Sequence, residues 1–99
     1  MTRAEVVLKI ANRTGIDKLD VQLTIDAFLK VVKDSMIDGQ NIYLRGFGSF
    51  VNKKRNRKIA RNIKKNTAII IDEHYIPSFK PAKAFVNKIK NSKKVTTYQ

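Results

Sequence analysis

Ninety-nine residues are enough for one domain and no more. The chain has no cysteine, which excludes a disulfide framework and thiolate metal ligation. It also lacks the apolar core of a secretory leader and the roughly 18 apolar residues of a membrane span. Its formal net charge is +13, all of it beyond residue 44: the first 44 residues balance six cations against six carboxylates, while residues 45–99 set 15 cations against Asp72 and Glu73 alone. A neutral half joined to a cationic half points to a folding module that carries a surface for a polyanion. The expected setting is soluble and cytoplasmic, with no membrane or small-molecule partner.

Thr2, Arg3, Ala4 and Glu5 have capping-box spacing and predict a helix from Arg3, with Val6, Val7, Ile10 and Ala11 on one face and Gly15 as its stop. Asp17 caps a second helix, in which Val21, Ile25, Phe28, Leu29, Val32 and Met36 recur at helical spacing until Gly39. The short connection makes the two an antiparallel helical hairpin. The period then changes to two. Asn41–Arg45 alternates Ile42 and Leu44 against Tyr43 and reads as a strand; Gly46, Phe47 and Gly48 make a sharp turn; Ser49, Phe50 and Val51 open a second strand that runs into a basic segment. Thr67–Ile76 reads as a third strand, followed by Pro77-Ser-Phe-Lys-Pro81. A final helix runs from Ala82 to Lys90, started by Pro81, with Phe85 and Ile89 on one face. Residues 1–91 are expected to form a single domain, and residues 92–99, without periodicity, a disordered tail.

Residues 55–65, RNRKIARNIKK, hold six Lys or Arg among eleven residues and no carboxylate. Read with period two, one face of 53–62 takes Lys53, Arg55, Arg57, Ile59 and Arg61, and the other takes Lys54, Asn56, Lys58, Ala60 and Asn62. Helical stripes are charged as well. Neither arrangement can be buried, because unpaired charges in a core cost several kcal/mol each. The segment therefore lies outside the core. The strand-forming run after it supplies a partner, with Ile63, Lys64, Lys65 and Asn66 near the turn and Asn66 tolerating a left-handed backbone. The expected product is a two-stranded arm over about residues 53–75, roughly 30 Å long at ~3.3 Å per residue. Such a hairpin is marginal in isolation and is expected to be mobile until bound. The remainder is small and rich in large apolar side chains, and cores of that size commonly need oligomerisation.

Arg45-Gly-Phe-Gly-Ser-Phe50, a basic arm with Arg61-Asn62, and Tyr75-Ile-Pro-Ser-Phe-Lys-Pro-Ala-Lys83 together resemble the bacterial HU/IHF family of histone-like DNA-bending proteins, over about residues 2–91. The resemblance implies an α+β fold: an N-terminal helical hairpin, a three-stranded antiparallel sheet with an extended β-ribbon arm, and a short C-terminal helix. It implies an intertwined dimer, with Phe28, Phe47, Phe50 and Phe79 in the dimer core, and a nucleoid-associated location. The implied partner is double-stranded DNA, held in the minor groove by two arms and bent or compacted with little base readout, as in HU. A site-preferring, IHF-like subunit of a heterodimer with a paralogue is the alternative. The family carries a proline after the arm's Arg-Asn, where this chain has Ile63, and a glycine in the arm turn, where this chain has Asn66. Isoleucine can enter a base step but lacks the fixed φ of proline.

Twelve residues form the expected DNA surface: Arg3, Gly46, Lys53, Arg55, Arg57, Lys58, Arg61, Asn62, Ile63, Lys64, Lys80 and Lys83. The cations neutralise phosphates, Arg55 and Arg61 suit insertion into a narrow groove, and Ile63 suits a wedge that partly unstacks a step. No cofactor, metal or catalysis is expected. His74 is the only histidine, and Asp72 and Glu73 are neighbours that a strand would point to opposite faces. An RNA-binding or ribosome-associated protein is the rival from another class, although no aromatic pair of the RNA-recognition type interrupts the basic arm.

Overall fold

In the computed structural model, which describes residues 1–96, helix α1 (Arg3–Thr14) and helix α2 (Lys18–Ile37) form the expected hairpin. Thr2 Oγ1 accepts from the Glu5 amide at 3.3 Å, and Asp17 Oδ2 accepts from the Leu19 amide at 3.2 Å, so both helices start where the capping residues predict. The Gly15 amide donates to the Ala11 carbonyl and closes α1. Gly39 and Gln40 donate to the carbonyls of Met36 and Ser35 and close α2.

Strand β1 (Ile42–Leu44), strand β2 (Gly48–Arg55) and strand β5 (His74–Pro81) form one antiparallel sheet with β2 at its centre. Strands β3 (Lys58–Asn62) and β4 (Thr67–Ile71) form a separate two-stranded ribbon. Asn52 ties the sheet to the helices: its Nδ2 donates to the Met36 carbonyl at 2.9 Å, and its amide donates to Asn41 Oδ1. Helix α3 (Lys83–Lys90) follows β5, and a short turn, α4 (Lys93–Thr96), comes after it.

Several boundaries differ from the sequence reading. The expected strand 67–76 is broken at Asp72 and Glu73, two residue types that strands disfavour, and the chain resumes pairing at His74. The Pro77–Pro81 segment, read as a separate stretch, continues that second strand. Its two prolines are tolerated because β5 is an edge strand, and positions 77 and 81, four apart, turn toward the same side. Helix α3 begins at Lys83, with Ala82 as its N-cap, so Pro81 ends the strand and does not open the helix. Residues 93–96, within the segment expected to be disordered, form a helical turn, and residues 97–99 lie outside the described residues.

Little of this chain is buried. The buried large apolar side chains among the described residues are Val7, Val21, Val32 and Met36, all on the two long helices, and none of them is completely shielded. The accessible surface is 8960 Å², against about 5,700 Å² for a compact monomer of this mass. The radius of gyration is 19.1 Å, against about 13 Å for a compact domain of this length. The ribbon accounts for part of the excess. Large apolar side chains also stand exposed: Leu19, Leu23, Phe28 and Val31 on α2, and Phe47 in the turn between β1 and β2.

Candidate nucleic-acid interface

The ribbon is built as its sequence requires. Lys58, Ile59, Ala60, Arg61 and Asn62 face Ile71, Ile70, Ile69, Ala68 and Thr67 in antiparallel register. Every strand-favouring isoleucine of β4 is thus matched to a residue of the cationic strand. At the tip, Asn62 Oδ1 accepts from the amides of Lys64 and Lys65 at 3.1 and 3.4 Å. Asn66 takes φ +52°, the left-handed conformation that closes the turn. Asn62 therefore shapes the tip through its carbonyl oxygen, a role the sequence reading did not give it. Ile63 projects from this turn and is 91% exposed, more than any other large apolar residue described.

The ribbon does not grow from the body without interruption. Lys53, Lys54 and Arg55 belong to β2 and pair with Ile76, Tyr75 and His74 of the main sheet. The unpaired residues Asn56 and Arg57 on one side, and Asp72 and Glu73 on the other, make an elbow before the ribbon begins. The arm expected over residues 53–75 is thus a sheet extension and a distal ribbon joined at that elbow. Here lies the one ion pair described in the region: Lys54 Nζ stands 3.3 Å from Glu73 Oε2.

No carboxylate among the described residues lies within ion-pair distance of Lys53, Arg55, Arg57, Lys58, Arg61, Lys64, Lys80 or Lys83. Their charge is uncompensated and exposed, which is the electrostatic footprint of a surface for a polyanion. Arg3 differs from them. Its Nη1 holds Asp26 Oδ1 at 2.6 Å across the helical hairpin, so its charge is partly compensated before any phosphate is met.

The saddle at the foot of the arm gathers the remaining expected residues. Gly46 turns with φ +81° between β1 and β2, where the Phe47 amide donates to the Leu44 carbonyl. The Ala82 amide donates to the Phe47 carbonyl at 2.8 Å and draws Lys80 and Lys83 toward the turn. Gly48 is required on steric grounds: a Cβ there would sit 2.6 Å from the Lys80 carbonyl oxygen and 2.7 Å from the Phe79 ring. Arg45 lines the same shallow cleft as Gly46 and Lys80, and it and Lys65 are cations missing from the expected set. Their proximity to Gly46 and Asn62 in the chain was the available signal.

Beneath the saddle, Phe47 stacks on Phe85 at 5.4 Å and tilts against Phe79 at 5.1 Å, while Phe50 meets Phe79 at 5.2 Å. Three of the four phenylalanines expected in the dimer core thus meet. Phe85 joins them, and Phe28 on α2 makes no ring contact among the described residues. Among the described residues there is no group of three or more His, Cys, Asp or Glu that would hold a metal, and no helix is long and apolar enough to cross a membrane.

Known proteins share this arrangement. The chain is 33% identical to the DNA-binding protein HU of Thermotoga maritima over 90 residues, which cover 91% of this chain and all of that one. It is 35% identical to the integration host factor subunit beta of Marinobacter nauticus, over 95% of this chain and 97% of that one. The fold superposes on the Anabaena HU protein from a cocrystal with DNA with a TM-score of 0.86 at 27% identity, covering 93% of this chain and 100% of the other. The family profile described as bacterial DNA-binding protein matches residues 1–90, from the first helix through the uncompensated arm to the last turn of α3, and the chain belongs to that family.

Proposed function

We propose that this chain is an architectural protein of the bacterial chromosome, in which two subunits join through their exposed apolar faces and clasp duplex DNA between two cationic ribbons laid in the minor groove. The observation that carries this reading is the ribbon itself. It offers uncompensated Lys and Arg along its length and a bare isoleucine at its tip, and has no neighbouring layer in its own sheet. Such a surface suits phosphates flanking a groove, with an apolar wedge for one base step.

The dimer follows from the same surfaces. A chain whose buried apolar core among the described residues is four side chains, all on two helices, has too small a core to hold a fold of this size alone. A second subunit would cover the half-exposed ring of Phe47 and the apolar groove lined by Phe79, Phe85, Val86 and Ile89. Readout of base identity is weak in this mode, because the minor groove distinguishes little beyond A·T from G·C. The activity is thus HU-like, bending or condensing DNA by binding and not by catalysis.

The test is a titration of linear, nicked and gapped DNA duplexes and of duplex RNA, at two salt concentrations, with the mass of the protein measured in parallel. The expected species has the mass of two subunits. It prefers nicked or gapped DNA, which bends at lower cost, and loses ~10³–10⁵ in affinity between about 50 and 200 mM salt. Duplex RNA has a wide, shallow minor groove and should bind more weakly. A lone subunit, or equal affinity for duplex RNA, would overturn the reading.

A further inference from the structure

The ribbon has two faces of different chemistry. By register and alternation, Ile59, Arg61, Ala68 and Ile70 share one face, with Ile59 directly opposite Ile70. Lys58, Ala60, Asn62, Thr67, Ile69 and Ile71 share the other. Ile59 is 71% exposed and Ile70 54%, so no element of this chain covers them. The first face carries the single guanidinium of the paired strands and no side-chain hydrogen-bond acceptor. Arg61 makes it the face suited to a narrow, electronegative groove.

We infer that the cross-strand pair of Ile59 and Ile70 makes the arm discriminate against the exocyclic amino group of guanine, so that A·T steps are favoured wherever this face meets the groove floor. The inference rests on the minor-groove reading above. Every base pair presents acceptors on the minor-groove floor, and Arg61 can donate to them in any sequence. Only G·C adds a donor, the guanine N2 amino group. Beneath two isoleucines that amino group loses its water and finds no acceptor, and its bulk also lifts the ribbon from the floor. Both effects have the same sign. An unsatisfied buried donor of this kind weakens binding about tenfold.

The test uses four duplexes that differ only at the steps under the arms: A·T, inosine·C, 2,6-diaminopurine·T and G·C. The first two lack the minor-groove amino group and the last two carry it. Competition titrations at fixed salt should place A·T and inosine·C together, with diaminopurine·T and G·C about tenfold weaker per amino-bearing step. The amino group also stiffens DNA, and the double variant Ile59→Thr, Ile70→Thr separates the two causes. Threonine keeps the β-branched shape that suits a strand and brings an acceptor hydroxyl to the same face. In this variant the ratio between amino-free and amino-bearing duplexes should collapse toward one, with circular dichroism confirming that the strands persist. A ratio that survives the double substitution would assign discrimination to DNA shape and overturn the inference. Equal binding of all four duplexes by the unaltered protein would overturn it too, while leaving the arm's DNA binding in place. Failure to bind any of the four would instead overturn the proposed function.

Discussion

Replacing Arg61 by alanine removes one guanidinium near the tip of the ribbon, where no carboxylate among the described residues compensates it. Because the charge is free before binding, its whole effect should appear as released counterions. Each phosphate neutralised contributes about −0.9 to the slope of log K against log salt. With about eight phosphates contacted, the slope is near −7 and affinity falls about 10⁴-fold between roughly 50 and 200 mM salt. A homodimer loses two contacts per substitution, so the slope should flatten by about 1.8 and the fall should shrink about twelvefold. Paired with an unaltered paralogue, the same change should flatten the slope by about 0.9 and shrink the fall about 3.5-fold. The substitution therefore reports subunit composition as well as contact. Lys54→Ala is the control, since the Lys54 ammonium already has Glu73 at 3.3 Å and should change the slope less. Fluorescence anisotropy of a labelled duplex at four or five salt concentrations gives the slopes. An Arg61→Ala slope equal to that of the unaltered protein would refute the placement of the ribbon's guanidinium in the groove between the phosphates, where it would displace counterions.

Glu73→Gln should tighten binding and steepen the same salt slope, because it frees the Lys54 ammonium and removes a carboxylate from the elbow. Gly48→Ala should lower the melting temperature: the added Cβ meets the Lys80 carbonyl at 2.6 Å, backbone that no rotamer change relieves, and overpacking of this kind costs about 1–3 kcal/mol. That corresponds to roughly 4–8 °C per kcal/mol in a thermal melt of a domain this size. Asn62→Ala should leave the melting temperature of the body in place while speeding amide exchange at Lys64 and Lys65, whose N–H groups lose their acceptor. Phe47→Ala should shift sedimentation toward single subunits, since the ring, 46% exposed in one chain, is half free to meet a partner.

The helical hairpin was legible to the residue because its signals are local: an N-cap, a periodic face and a stop act within one turn of each other. The arm was legible by exclusion. A run such as RNRKIARNIKK cannot enter a core, and Asn66 marked the turn that the structure closes with φ +52°. The path between body and arm was not legible. Thr67–Ile76 reads as one strand by composition, yet it serves two sheets, and the change of partner at Asp72 and Glu73 depends on where β2 ends, a contact distant in sequence. Likewise Pro77 and Pro81 argue against a strand until β5 is known to be an edge. The turn-forming role of Asn62 was hidden for a different reason. Its basic neighbours suggest a phosphate or base contact, whereas its carbonyl oxygen is committed to two amides of its own chain.

Two kinds of exposed surface divide this chain, and each is unfavourable until a different partner arrives. The apolar surface around Phe47, Phe79 and Phe85 gains by leaving water, and the occupant proposed above is a second copy carrying the same surface. The ribbon repels itself, since its cations have no carboxylate partners, and it gains only from a polyanion. The two are mechanically connected, because β2 and β5 run from the phenylalanine cluster out to the elbow at Arg55 and His74. In the proposed dimer, association of the bodies would fix where both arms leave the molecule, and DNA engaging both arms would bind the associated form in preference to the single chain. By linkage, DNA should then raise the apparent stability of the dimer, and the body's melting temperature should depend on both protein and DNA concentration. A single chain that melted at the same temperature at all concentrations, with and without duplex, would leave the exposed phenylalanine cluster without a physical purpose.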